Sequence, residues 1–122
     1  MKRDLDLIRK ILLKIEDSNV DEALTNIQIE GHEHDETAYH ISLLKSAGFI
    51  EGEILYEIGS GVPSAYMIFG MTWEGHDFLD ACRNEGIWVK AKEKLKTVGD
   101  EVPLEVLKKV LIELISNQVL GT

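Results

Sequence analysis

The sequence predicts an α+β fold, mainly helical, in a single domain of 122 residues. Two patterns carry this expectation. Apolar side chains recur every three or four residues through most of the chain, and in one central stretch they alternate around a glycine-rich turn. The composition is a third observation. With 44% hydrophobic and 29% charged residues, a chain of this length can bury about two-thirds of its unfolded surface.

In order along the chain, Leu5, Ile8, Ile11, Leu12 and Ile15 predict the first helix. Asp4 and Asp6 lie at its start and Lys10 and Lys14 near its end, as the helix dipole favours. Asp17-Ser18-Asn19 breaks it. Ile27-Gln28-Ile29-Glu30, closed by Gly31, reads as a short strand, and His32 to Asp35 as a turn. A second long helix follows over residues 35–47, with Tyr39, Ile41, Leu43, Leu44 and Ala47 as its apolar face and Gly48 as its C-cap. Ile54, Tyr56 and Ile58 alternate with Glu53, Leu55 and Glu57, a half-buried strand. The loop from Gly59 to Ser64 turns it into a returning strand from Ala65 to Trp73. A third helix runs through Phe78, Leu79 and Cys82 to Gly86, and a fourth covers Ile87 to Val98, with Ile87, Trp88, Ala91, Leu95 and Val98 on one side. The last opens at Val102-Pro103, where proline suits a first turn, and carries Leu104, Leu107, Val110, Leu111, Leu114 and Ile115 as a broad apolar face.

A helix that ends in the turn "KSAGFIEG" and runs directly into a hairpin is the pattern of a winged helix. The expected fold is therefore a winged-helix-like domain with a two-stranded hairpin wing and additional C-terminal helices. Residues 1–86 would form the helical core and wing, and residues 87–122 a C-terminal helical extension. Residues 35–47 would be the recognition helix. The short helix that usually precedes it is replaced by Asn26–Gly31.

That architecture commonly grips DNA, with the recognition helix in the major groove and the wing on phosphates, and the grip needs lysine and arginine. The net charge here is −9, unevenly spread. Residues 1–14 hold five cations and two acids, and residues 83–98 hold the same numbers of each. Between them, residues 15–82 hold fourteen acids and one cation, Lys45. The recognition helix offers Asp35, Glu36, His40, Ser42, Lys45 and Ser46 as its polar positions, with Glu33 just ahead and Glu51, Glu53 and Glu57 on the first strand. Each carboxylate near a phosphate costs on the order of 1 kcal/mol, about what a lysine gains. Nucleic acid is thus disfavoured on the recognition-helix face. Two basic stretches remain: Lys2, Arg3, Arg9, Lys10 and Lys14 on the first helix, and Arg83, Lys90, Lys92, Lys94 and Lys96 on the later ones. They read as solvated helix faces. Brought together in space, they would form a basic patch for nucleic acid or an acidic partner.

No catalytic residue, metal ligand or cofactor site is expected. His32, His34 and His40, with Glu33, Asp35 and Glu36, have metal-ligand side chains but no supporting spacing, and read as a polar turn capping a helix. His76, in "WEGHDF", has Asp77 and Asp80 close by but no nucleophile signature, and reads as a partly buried helix-surface residue. Gly59-x-Gly61 is followed by no helix, so it is not a phosphate loop. Cys82, the one cysteine, follows Phe78 by a turn on the apolar side and reads as core; alone it forms no internal disulfide. The charged N-terminus is unlike a signal peptide, and no apolar run approaches the ~20 residues that span a bilayer. A cytoplasmic protein with no membrane partner is expected.

Five segments, "MKRDLDLIRKILLKIE", "AYHISLLKSAGFIEG", "MTWEGHDFLDACR", "WVKAKEKLK" and "VPLEVLKKVLIEL", resemble a family of small bacterial prophage and phage proteins, a domain of unknown function. The resemblance covers nearly the whole chain. It implies a phage-associated, winged-helix-like protein of a bacterial host cell, and implies no reaction, cofactor or catalytic residue. The expected function is non-enzymatic and exerted through protein contacts; the alternative is a DNA-binding transcriptional regulator using an unconventional basic face. Tyr66 and Ile68 on the apolar hairpin arm, and Leu107, Leu111 and Leu114 on the last helix, are the expected partner-contact residues. The breadth of the last helix's apolar face also points to a homodimer formed through it.

Overall fold

The computed structural model describes residues 1–18, 21–98 and 102–121. Asn19 of the expected helix break lies outside them, as does the side chain of Val98. The fold is α+β and mainly helical, as the periodicities predict. Its order is α1 (Leu5–Glu16), α2 (His34–Ser46), β1 (Ile50–Tyr56), β2 (Pro63–Met71), α3 (Trp73–Cys82), α4 (Glu85–Leu95), a 3-10 turn (Lys96–Val98) and α5 (Leu104–Leu120). The chain divides into two compact units, Met1–His76 and Asp77–Thr122, so the division falls inside α3. The sequence placed a change of character later, between residues 86 and 87.

In the first unit, α1 is started by Asp4, whose carboxylate accepts from the amides of Asp6 (3.0 Å) and Leu7 (3.2 Å). Its buried stripe is Leu7, Ile8, Ile11, Leu12 and Ile15. That stripe packs on α2 and β2. The buried face of α2 is Thr37, Ala38, His40, Ile41 and Leu44. This is rotated from the expected face: Tyr39 and Leu43 are half-buried and Ala47 is exposed. The rotation follows from His40, which is fully buried because both ring nitrogens are satisfied. Its Nδ1–H donates to the Glu36 carbonyl (2.8 Å), and its Nε2 accepts from the Asp4 amide (2.8 Å), tying α2 to the start of α1.

α2 ends as expected at Gly48, in the left-handed region at φ 79°. The amide of Gly48 donates to Lys45 O and that of Phe49 to Leu44 O, the paired bonds of a Schellman motif. The turn delivers Phe49 and Ile50 into the core.

β1 and β2 form an antiparallel two-stranded sheet. The strand expected at Ile27–Glu30 does not form. The amide of Ile27 is taken instead by the Tyr66 hydroxyl (2.6 Å), so a side chain does what a neighbouring strand would. The backbone pairing falls earlier, where Leu24 and Ile68 exchange two hydrogen bonds of 2.9 Å.

Thr72 starts α3. Its Oγ1 accepts from the Gly75 amide (3.1 Å) and donates to Gly48 O (2.6 Å). Gly75 lies so close to the Phe49 carbonyl that a Cβ there would sit 2.1 Å from the oxygen.

In the second unit, Phe78, Leu79 and Cys82 are buried, so Cys82 is a core residue. α3 ends at Cys82, earlier than the expected Gly86, because Asn84 caps a new helix by accepting from the Ile87 amide (3.0 Å). Ile87, Trp88, Ala91 and Leu95 are the buried side of α4, which packs on α5. Of the broad face expected for α5, only Leu107 and Leu111 are buried.

Candidate functional site

Strand register decides which hairpin side chains are free to meet a partner. Ile50 pairs with Met71, Gly52 with Ile68, Ile54 with Tyr66 and Tyr56 with Pro63; Glu51 pairs with Gly70, Glu53 with Met67 and Leu55 with Ala65. Directly opposed residues share a face. The first set is the inner face, where Ile50, Pro63, Tyr66 and Ile68 are buried. The second set is the outer face, where Glu51, Glu53, Leu55, Ala65 and Met67 are exposed. Register shifts between Glu51 and Gly52 and between Leu55 and Tyr56 insert one extra β2 residue at each place. One of these is Phe69, which is 52% exposed. Gly52 makes the first shift feasible, since a Cβ there would lie 2.2 Å from Met67 O.

The outer face therefore carries Leu55, Met67 and Phe69 beside the carboxylates of Glu51 and Glu53. The strand pair leaves the core at Tyr56, which is 52% exposed, and the loop beyond carries Ile58 fully into solvent. Ile54, Tyr56 and Ile58 were expected on one buried side, and only Ile54 keeps any of that burial. Trp73, just beyond β2, is 80% exposed. On the opposite margin of β2 a cleft of about 100 Å³ is lined by residues including Leu24, Ile68, Phe69, Glu22 and His76.

The expected partner-contact residues are mostly core. Tyr66 and Ile68 are 4% and 1% exposed, because strand alternation turns their neighbours Met67 and Phe69 outward instead. Leu107 and Leu111 are fully buried and Leu114 is half-buried, while Val106, Ile112, Val119 and Leu120 are the exposed apolar residues of α5. The signal that finds the outer-face residues is the period of two, read against the correct parity. Two inserted residues made that parity hard to assign from sequence.

Burial leaves Tyr66 with a raised pKa: desolvation disfavours the phenolate more than the Ile27 amide bond favours it. The three histidines do not converge. His32 pairs with Glu36, His34 is exposed beside Asp35 (3.6 Å), and His40 lies in the core. Among the described residues no group of three or more His, Cys, Asp or Glu side chains is placed to hold a metal ion. His76 is exposed rather than partly buried.

The basic residues are solvent-facing. Lys2, Arg3, Lys10 and Lys14 are exposed and Arg9 is half-buried in the first unit. Arg83, Lys90, Lys94 and Lys96 are exposed in the second unit. Arg83 pairs with Asp80 (2.9 Å), and half-buried Lys92 lies over the Trp88 ring (5.9 Å). The recognition-helix candidate, α2, exposes His34, Asp35, Lys45 and Ser46, and half-exposes Glu36, Tyr39, Ser42 and Leu43. His40 is removed from its polar surface.

Fold and surface together define a helix-and-hairpin module whose exposed sheet face is acidic and apolar, followed in the chain by a helical unit. The chain belongs to the family described as "Hypothetical protein (DUF2513)", which matches residues 2–101. It is 35% identical over 118 residues to a Haemophilus influenzae protein described as "Uncharacterized protein", covering 96% of this chain and 98% of that one. No solved structure matches. Among the described residues no helix is long and apolar enough to cross a membrane.

Proposed function

We propose that this chain is a non-enzymatic, winged-helix-like protein that acts through protein–protein contacts, with its first unit as the docking module. Element order supports the winged-helix part. A helix, a bridge to the second hairpin strand at Leu24, a helix and a hairpin follow one another as in a winged helix that lacks its short middle helix. The phage association and cytoplasmic location implied by the family resemblance belong to the same reading. So does a homodimer through α5, now with Ile112 and Val119 rather than Leu107 and Leu111 as its contacts.

One observation carries the choice of protein over DNA. Across α2 and the hairpin, the surface that a groove binder would present holds Lys45 alone against exposed Asp35, Glu51, Glu53 and Glu57. Phosphate neutralisation supplies most non-specific affinity, and this surface opposes it. The exposed apolar side chains Leu55, Met67 and Phe69 fit a protein contact instead. The second reading, a DNA-binding regulator using a basic face, draws on exposed Lys2, Arg3, Lys10 and Lys14 around α1. Titration of a labelled duplex at low ionic strength separates the two. Weak binding, unchanged by Lys10→Glu, supports the protein-contact reading. Tight, salt-sensitive binding that Lys10→Glu abolishes overturns it.

A further inference from the structure

We propose that the free edge of β1 receives an extended segment of a partner protein with basic side chains at alternating positions, adding a third strand to the hairpin. This deepens the protein-contact reading and rests on it. The sheet has two strands, so each has one edge unpaired by the other. The far edge of β2 is already engaged at Ile68, which exchanges both of its backbone bonds with Leu24. Because Ile68 directs its N–H and C=O away from β1, antiparallel alternation directs those of Tyr66 away too, and those of their partners Gly52 and Ile54 to the outside of β1. Among the described residues no further backbone hydrogen bond reaches Gly52 or Ile54. A row of open donors and acceptors of this kind is a template for strand addition.

The side chains along that edge specify the occupant. A strand laid beside β1 places its outward side chains about 5 Å from Glu51, Glu53 and Leu55. Two exposed carboxylates two residues apart, followed by an exposed leucine, match lysine or arginine at alternating positions next to an apolar residue. Acidic segments are repelled by the same pair. Glu57 extends the negative field past the strand's end, and Met67 and Phe69 continue the apolar strip on β2. The carboxylates also protect the edge from pairing with a second copy, since an antiparallel self-pair through this strand would set glutamates near glutamates.

The test uses the full chain, an isotope-labelled sample and a peptide of alternating lysine and valine about eight residues long. With the peptide at about nine times its Kd, amide exchange at Gly52 and Ile54 should slow about tenfold. Glu53→Lys, an exposed change, should weaken binding about tenfold by turning one attraction into a repulsion. A peptide of alternating glutamate and valine should not bind. The proposal is overturned if the lysine peptide fails to bind, binds without slowing those two amides, or is matched by the glutamate peptide. It is also overturned if a DNA duplex, rather than the peptide, protects them. Failure with the peptides while the duplex still binds weakly would remove strand addition and leave the protein-contact reading standing.

Discussion

Replacing His40 with leucine tests whether one buried polar link holds α1 to α2. The imidazole is fully buried, with Nδ1–H on the Glu36 carbonyl and Nε2 accepting the Asp4 amide, each at 2.8 Å. In His40→Leu the Glu36 carbonyl keeps its ordinary helical bond, so little is lost there. The Asp4 amide, in contrast, loses its acceptor at a partly buried site, and a stranded donor costs roughly 1–3 kcal/mol. Leucine returns up to about 1 kcal/mol through its greater apolar burial. The net expectation is a loss of about 1–2 kcal/mol, or a melting temperature lower by roughly 4–8 °C for a chain of this size. Urea unfolding followed by circular dichroism measures it. The midpoint should fall with an unchanged slope, since the compactness of the folded state is unaffected. His40→Gln, whose amide oxygen can accept the Asp4 N–H, should recover about half of the loss. A His40→Leu protein as stable as the parent would refute the link as a structural tie.

Gly75→Ala should destabilise by about 2–3 kcal/mol in the same assay, because its Cβ would lie 2.1 Å from the Phe49 carbonyl oxygen, which also accepts the Thr72 amide. Gly48→Ala should cost about 1–2 kcal/mol, since alanine must then adopt φ 79° at the end of α2. Tyr66 makes stability fall at high pH. Its folded pKa is raised, so its contribution is complete below the unfolded value of about 10 and is lost as pH rises through the folded one. Tyr66→Phe should flatten that alkaline decline in denaturant melts at successive pH values while lowering stability at pH 7 by about 1 kcal/mol, because the Ile27 amide loses its partner. Ile112→Glu should turn a dimer into a monomer by light scattering; a monomeric parent would dispose of the α5 interface.

The helical periodicity of Ile8, Ile11, Leu12 and Ile15, the glycine that ends α2 and the hairpin around Gly59-Ser60-Gly61 are local features, governed by neighbours within a few residues. They were legible for that reason. So was the excess of acid over base around the hairpin, because charge count does not depend on folding. The candidate site was legible only as a region. Burial there departs from the sequence reading by one step: Tyr66 and Ile68, expected at the surface, lie inside, and Met67 and Phe69 are exposed.

What the sequence by itself determined, then, is the order of the helices and the hairpin and the sign of the charge around that hairpin. Only the tertiary structure decided which face of α2 and of the hairpin, and how much of α5, lies inside. The amide that holds His40 is 36 residues away, and the hydroxyl that takes Ile27 out of a strand is 39 residues away. Partners at such separations have no signature in a local period, and a single inserted residue reverses the parity of every side chain after it.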